Sequence, residues 1–223
     1  MNTVRFMICI FAIFFFNSTF AQDEVGNGLL LPKFENGTVV FKNGSRSSAL
    51  LNYDIVQQEM LFINADSMAL AISNPQDIIV VIIGERRFLP VSSEGIFYEE
   101  IPAGTGSFFV HRKASMISKG KAAAYGGYSS TSSTTTLGAY HDSSSGVSFK
   151  MKQNEQFNLT KSVTYYLKSG NSYKRFNSAK SLGKLFKGRE SEILKFANEQ
   201  SVNFSKIDDI KQIVEYGYSL MNK

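Results

Sequence analysis

The sequence predicts an α+β protein: an antiparallel β-sheet, sandwich or open barrel of about 8 to 10 short strands, followed by three short helices. Two observations carry this prediction. Between residues 34 and 176, short apolar runs alternate with turn signals such as Asn43-Gly44. After Asn177, the apolar period changes from two residues to about 3.6. We therefore expect an antiparallel β domain over 34–176 and a helical segment over 177–223.

The first 21 residues have the pattern of a cleavable secretory signal peptide. Arg5 precedes an unbroken apolar run from Phe6 to Phe16, and Ala21 closes a segment of small residues. The run is about half of the ~20 residues that a membrane-spanning helix needs. We expect export, with residues 22–33 as a flexible lead-in. Cys9 is the single cysteine, so the mature chain would have no disulfide, thiol nucleophile or thiolate metal site.

The β pattern begins with a hairpin. A run from Thr38 to Phe41 leads into Asn43-Gly44, for which we expect a type I′ turn. The run from Ala49 to Tyr53 would form the second strand of this hairpin. The continuous β-branched run from Ile78 to Ile83 predicts a central strand covered on both faces. Further strands are expected at 56–63, 68–72, 86–91, 96–101, 108–116, 147–151, 163–167 and 173–176.

A low-complexity loop interrupts the β domain at residues 122–146. The segment is rich in Gly, Ser, Thr and Ala and low in charge, so it buries too little apolar surface to offset its ordering entropy. Two interpretations stay open, a disordered surface loop and a mobile binding loop. In the second, the candidate contacts are Tyr125, Tyr128 and Tyr140.

Three helices follow. Ser178 can cap the first, with Leu182, Leu185 and Phe186 on one side. The second is expected over 190–200, with Ile193, Leu194 and Phe196 facing inward. A capping-box pattern from Ser205 to Asp208 opens the third.

The excess of basic over acidic side chains lies in the last third of the chain. Residues 22–160 carry 11 basic and 13 acidic side chains, whereas residues 161–223 carry 12 basic and 6 acidic ones. No acid occurs between positions 161 and 189. This segment is either a polyanion-binding or partner-binding surface or an ordinary solvated lysine surface. The candidate residues are Lys168, Lys174, Arg175, Lys180, Lys184, Lys187 and Arg189, together with Lys161. Lys180, Lys184 and Lys187 would share one helix face.

The sequence offers no catalytic, cofactor-binding or metal-binding constellation. His111 and His141 have no ligand-spaced partners, and adjacent residues such as His141 and Asp142 point apart in extended chain. Glu99 and Glu100 are consecutive in a predicted strand, so their side chains would face opposite sides and cannot flank one bond as acid and base.

The two ends of the mature chain resemble exported proteins common in Bacteroidota. The resemblance lies in the hairpin and the two strands around residues 38–63, and in the closing segment with Tyr165, Tyr166, Phe176 and the run from Ile210 to Tyr216. That family has no assigned activity. The resemblance implies a Gram-negative envelope location and makes glycosylation of the Asn-x-Ser/Thr sites at Asn36, Asn43, Asn158 and Asn203 unexpected.

These observations predict a non-enzymatic exported envelope protein that binds a protein partner or an anionic surface polymer. One alternative is an envelope-polymer hydrolase that uses His141 or His111 as base. Another is a structural component whose sheet edges join an assembly by strand addition. We expect no cofactor, no specific nucleic-acid partner and no transmembrane segment in the mature chain. The oligomeric state stays open.

Overall fold

A computed structural model describes residues 28–91, 95–122, 128–129 and 155–221. It confirms the α+β class: one open antiparallel sheet of 11 strands is followed by three helices. The strands are β1 (Glu35–Phe41), β2 (Arg46–Asp54), β3 (Glu59–Ile63), β4 (Ala69–Ala71), β5 (Ile78–Ile83), β6 (Arg86–Pro90), β7 (Phe97–Ala103), β8 (Gly106–Ala122), β9 (Tyr128–Ser129), β10 (Glu155–Ser169) and β11 (Ser172–Phe176). The strand expected at 147–151 lies outside the described residues.

The strand order is β11-β10-β8-β7-β6-β5-β1-β2-β3-β4, and β9 pairs with the far end of β8. Most neighbouring strands are joined by hairpins. β1 and β5, however, pair although three strands lie between them in the sequence. β5 is central, as its apolar run predicts, and Val81 and Ile83 are buried. Ile79 is the exception, with 49% of its surface exposed. It lies opposite a shift in register between Val40 and Phe41 of β1.

The sheet curls on itself. The Ala114 amide of β8 donates a hydrogen bond to the carbonyl of Ile55, in the turn after β2, with an N···O distance of 2.7 Å. The curl encloses an apolar cluster, which we call the inner core. Its members are Leu31, Val39, Leu51, Tyr53, Ile55, Met60, Ile78, Val81, Ile83, Phe88, Phe97 and Ala114.

The helices cover the other end of the sheet. They are α1 (Ala179–Gly183), α2 (Glu190–Glu199) and α3 (Ile207–Met221). Their apolar sides join β7, β8, β10 and β11 in a second cluster, the helix core, which includes Phe108, Val110, Tyr165, Phe176, Leu182, Phe186, Ile193, Ile210, Ile213 and Val214. Within the described ranges, none of the helices has the length and apolarity to cross a membrane.

Two local predictions were wrong. In the first hairpin, Gly44 has a φ of 84° but Asn43 has no positive φ, so the turn is not type I′. The Phe41 amide donates to the Ser45 carbonyl at 2.9 Å, which leaves a loop of the three residues 42–44, and within it the Gly44 amide donates to the Phe41 carbonyl at 2.9 Å. This is the arrangement in which the glycine occupies the left-handed position. Leu194 of α2 was expected to face inward but is 38% exposed, while its neighbour Ile193 is buried.

α1 is shorter than the sequence predicted. Ser178 and Ser181 form the expected N-terminal cap, but the helix ends at Gly183, which lies so close to Glu190 that a Cβ would be 3.1 Å from the Glu190 Cα. The chain then turns, with Gly188 at a φ of 78°. Lys187 therefore lies beyond the helix, and the predicted face shared by Lys180, Lys184 and Lys187 does not exist.

The described part of the expected lead-in is anchored. The Leu31 amide donates to the Asn52 side-chain oxygen at 3.0 Å, and the Asn52 amide group donates to the Leu31 and Lys33 carbonyls at 3.0 and 3.1 Å. Asn52 is completely buried, so these bonds satisfy a side chain that would otherwise be costly to bury. Residues 28–33 are thus hydrogen-bonded to β2 through Asn52.

Candidate functional site

The two faces of the sheet carry different side chains at β7, β8, β10 and β11. Val110 of β8 and Tyr165 of β10 are paired and belong to the helix core. Since successive strand residues point to opposite faces, the next pair, Phe109 and Tyr166, lies on the face away from the helices. The same alternation places Arg175 of β11 there, opposite Tyr166.

An aromatic cluster occupies that outer face, and we call it the tyrosine face. The Tyr98 ring stacks on Tyr166 with centroids 4.8 Å apart, and it lies 5.0 Å from the His111 ring. Tyr173 meets Tyr98 and Phe109 edge-on at 5.2 and 5.0 Å. Phe109 is buried, while the other four are partly exposed. The cluster is a preformed platform whose rings fix one another.

Cations border the tyrosine face. The Lys168 ammonium lies 6.0 Å from the centre of the Tyr173 ring, and the exposed Arg175 is the register partner of Tyr166. Burial raises the pKa of Tyr98, and its contact with Tyr166 adds to that shift. Burial also raises the pKa of Tyr173. Their phenols therefore stay neutral at ordinary pH, and such hydroxyls can donate to and accept from a ligand.

His111 is held in the face by a side chain from the turn between β2 and β3. Its Nε2 lies 2.7 Å from the Gln58 Oε1. Burial lowers the pKa of His111, and the nearby Lys113 lowers it further. A histidine that acts as a base in hydrolysis is oriented by a carboxylate at its Nδ1, whereas the partner of His111 is an amide oxygen at its Nε2. His141 lies outside the described residues.

The predicted basic segment is divided between the two sides of the sheet. Lys168 and Arg175 border the tyrosine face, whereas Lys180 lies in α1 and Lys184 directly follows it, on the side of the helices. The remaining predicted residues are not brought to the tyrosine face either. Lys161 is paired with the buried Ala114, and Lys174 with the buried Leu167. Lys187 lies in the turn after α1, and Arg189 forms an ion pair with Glu192 at 3.2 Å. The segment therefore does not form one continuous surface.

Of the three tyrosines predicted as contacts of loop 122–146, only Tyr128 lies within the described residues. Tyr125 and Tyr140 lie outside the described residues. The backbone of Tyr128 belongs to β9, where it pairs with Ala122 of β8. The interpretation of 122–146 as a binding loop stays a prediction.

The glutamates of β7 face opposite sides, as their positions predict. Glu99 is buried and accepts hydrogen bonds from the Nε atoms of Arg86 at 2.6 Å and Arg112 at 2.8 Å. Glu100 lies on the outer side and accepts from Arg87 at 2.9 Å. Burial alone would raise the pKa of Glu99, but the two guanidinium groups outweigh it and hold the pKa below its usual value. In the part of the chain that the structure describes, no group of three or more His, Cys, Asp or Glu side chains could hold a metal ion.

Sequence reasoning missed Tyr98 and Phe109 as members of a site. The available signal was a pair of ring side chains at alternate positions of one strand, Phe109 and His111 of β8. The contact between Tyr98 and Tyr166 depends on β7 and β10 flanking β8 in the sheet, which no spacing along the chain reveals.

The chain matches no protein-family model, no curated protein and no solved structure. The geometry and the charges of the tyrosine face are therefore the grounds on which a function can be proposed.

Proposed function

We propose that this chain is an exported, non-enzymatic envelope protein that binds an acidic glycan on the tyrosine face. The observation that carries the proposal is the stacked pair Tyr98 and Tyr166, bordered by Lys168 and Arg175. The pattern of the first 21 residues supports export. Lys168 and Arg175 also belong to the basic segment, for which the sequence leaves a polyanion-binding or partner-binding surface open as one of two interpretations.

The mixture of groups favours a charged sugar over other anions. Sugar rings present C–H surfaces that pack on aromatic rings, and their hydroxyls pair with phenols and amides. Lys168 and Arg175 then hold the acidic substituents. A polyphosphate has no apolar surface for the rings to contact. A neutral glycan would leave the two cations without a role.

The rigidity of the cluster also supports binding. Phe109 is buried beneath partly exposed tyrosines, and the rings of Tyr98, Tyr166 and Tyr173 contact one another. A ligand would not have to order these side chains, so little of the binding free energy would be lost to conformational entropy.

The test compares four polymers by titration calorimetry: dextran sulfate, which combines sugar rings with charge, unmodified dextran, polyphosphate and an oligothymidylate. We expect dextran sulfate to bind most tightly, and its affinity to fall as salt rises because the exposed cations are screened. Polyphosphate binding as tightly as dextran sulfate would contradict a role for the rings. Tighter binding of an oligothymidylate would assign the face to single-stranded nucleic acid instead.

A matched pair of variants locates the site. Lys168→Ala with Arg175→Ala removes two exposed cations from the tyrosine face, and Lys180→Ala with Lys184→Ala removes two exposed cations from the helix side. We expect the first pair to weaken dextran sulfate binding about tenfold, since each exposed charge contributes up to about 1 kcal/mol. The second pair should change it little. An equal loss in both would show diffuse attraction without a site.

A further inference from the structure

His111 is the one titratable side chain of the tyrosine face whose ordinary pKa is near neutrality. Its ring lies 5.0 Å from Tyr98 and in the same row as Phe109, two residues earlier on β8. Its register partner on β10 is Thr164. The ring is half-buried among the groups that would contact a ligand, so a change in its charge would alter the affinity for a charged ligand.

The surroundings of His111 allow it to gain a proton in place. The Gln58 Oε1, 2.7 Å from the Nε2, can accept the same hydrogen bond from a neutral or a protonated ring. Tyr98 from β7 and Thr164 from β10 carry no charge near neutral pH, whereas Glu100, two residues after Tyr98 on the same face of β7, is paired with Arg87. Burial of the ring and, to a smaller extent, Lys113 on the same strand oppose protonation by lowering the pKa of His111, and Glu59 follows Gln58 at the start of β3. Bound anionic groups would offset the effect of Lys113.

We propose that His111 is an affinity-determining residue of the tyrosine face, which gains a positive charge on acidification and then binds anionic glycans more tightly. This inference rests on the proposed function. The site holds a glycan through its rings and its two fixed cations at neutral pH, and His111 adds a third cation beside Tyr98 under acid conditions.

The test measures the affinity for dextran sulfate at about pH 8 and about pH 5, a range in which sulfate esters stay ionised, for the protein and for His111→Gln. We expect at least about fivefold tighter binding at the lower pH for the unaltered protein, the effect of one added exposed charge worth about 1 kcal/mol. Glutamine keeps a polar side chain of similar reach but cannot be protonated, so most of this pH dependence should disappear.

His141→Gln is the control, because it removes the other histidine of the chain. Acidification also protonates carboxylates elsewhere, and this general effect should be the same in both variants. An unchanged pH dependence in His111→Gln, or equal affinities at both pH values in the unaltered protein, would overturn the inference and leave the proposed function intact. Absence of binding at both pH values would overturn the proposed function itself.

Discussion

Asp54 and Glu99 are buried carboxylates in opposite electrostatic surroundings. Glu99 contacts two guanidinium groups. In Asp54, the Oδ1 accepts from the amides of Val56 at 2.8 Å and Gln57 at 2.9 Å, whereas the Oδ2 has no hydrogen-bond partner among the described residues. Burial raises the pKa of Asp54 more than these two hydrogen bonds lower it. The folded state therefore favours the protonated form of Asp54 and the ionised form of Glu99.

The raised pKa of Asp54 predicts a pH-dependent free energy of unfolding. Its stabilising contribution is complete below the unfolded pKa of about 4 and is lost as pH rises through the higher pKa of the folded state. In Asp54→Asn, the loss of stability that Asp54 causes as pH rises above about 4 should disappear, as measured by urea unfolding at several pH values. Asp66→Asn, at an exposed turn, is the control. A pH dependence that persists in Asp54→Asn would contradict the assignment.

At the residue scale, the sequence predicts the side of a strand on which each side chain lies, because consecutive strand residues point to opposite faces. Glu99 and Glu100 had to face opposite sides of a strand, and they do. The partners of these residues were beyond prediction: Arg112 reaches Glu99, and Gln58 reaches His111 across 53 positions. Such contacts depend on strand order and on the curl of the sheet.

Among the helices, α3 shows how one glycine permits close packing. Gly217 is buried against the Phe186 ring, and a Cβ at this position would lie 2.5 Å from its nearest carbon. The same ring makes an edge-on contact with Tyr218 at 5.3 Å. Phe186 comes from the turn after α1, so this contact joins the turn to α3.

We expect Gly217→Ala to destabilise the protein despite the better helix propensity of alanine. The propensity gain is about 1 kcal/mol, whereas a methyl group forced into a well-packed core costs about 1–3 kcal/mol, and here the obstacle is a buried ring. The net loss should appear in thermal or urea unfolding. Ser219→Ala, at an exposed position of the same helix, should be neutral or slightly stabilising. A more stable Gly217→Ala protein would show that Phe186 can move aside.

Strands and helices could be predicted where residues close in sequence determine where they begin and end. The hairpins, the central strand β5 and the N-terminal cap of α1 follow from turn residues, apolar runs and Ser178. The end of α1 does not, because the packing of Gly183 against Glu190 stops the helix while the apolar pattern continues to Phe186. The extension of β10 back to Glu155 was also missed, since its first residues are polar.

For the whole molecule, the charged group around Glu99 lies between the two cores. Phe97, Glu99 and Ile101 share one face of β7, where Phe97 belongs to the inner core and Ile101 packs against the helix core. Arg86 and Arg112 reach Glu99 from the neighbouring strands β6 and β8. The two apolar regions are thus joined through an ionic cluster on β7.

Glu99→Gln and Glu100→Gln test this role with the same chemical change at adjacent positions. Removing the charge of Glu99 leaves two partly buried guanidinium groups without compensation, which should cost about 3 kcal/mol. The Glu100–Arg87 pair is more exposed, so its loss should cost less than about 1 kcal/mol. Urea unfolding of both variants provides the comparison. Equal losses would contradict a special role for the buried pair.

The fold class could be predicted because periodicity and turns recur along the entire chain. The choice of a single curled sheet over a sandwich could not, because it depends on the pairing of β1 with β5 and on the bond between Ala114 and Ile55. The tyrosine face is a product of the same long-range order.

The bond between Ala114 and Ile55 also has a consequence for loop-closure entropy. In the unfolded chain, all residues between these two positions form the loop that the curl must close. The entropic cost of closing a loop rises with the logarithm of its length, so doubling the loop adds only about 0.6 kcal/mol. The exposed turn at Asn64–Ser67 lies within this loop, and lengthening it would hardly weaken the closure of the sheet.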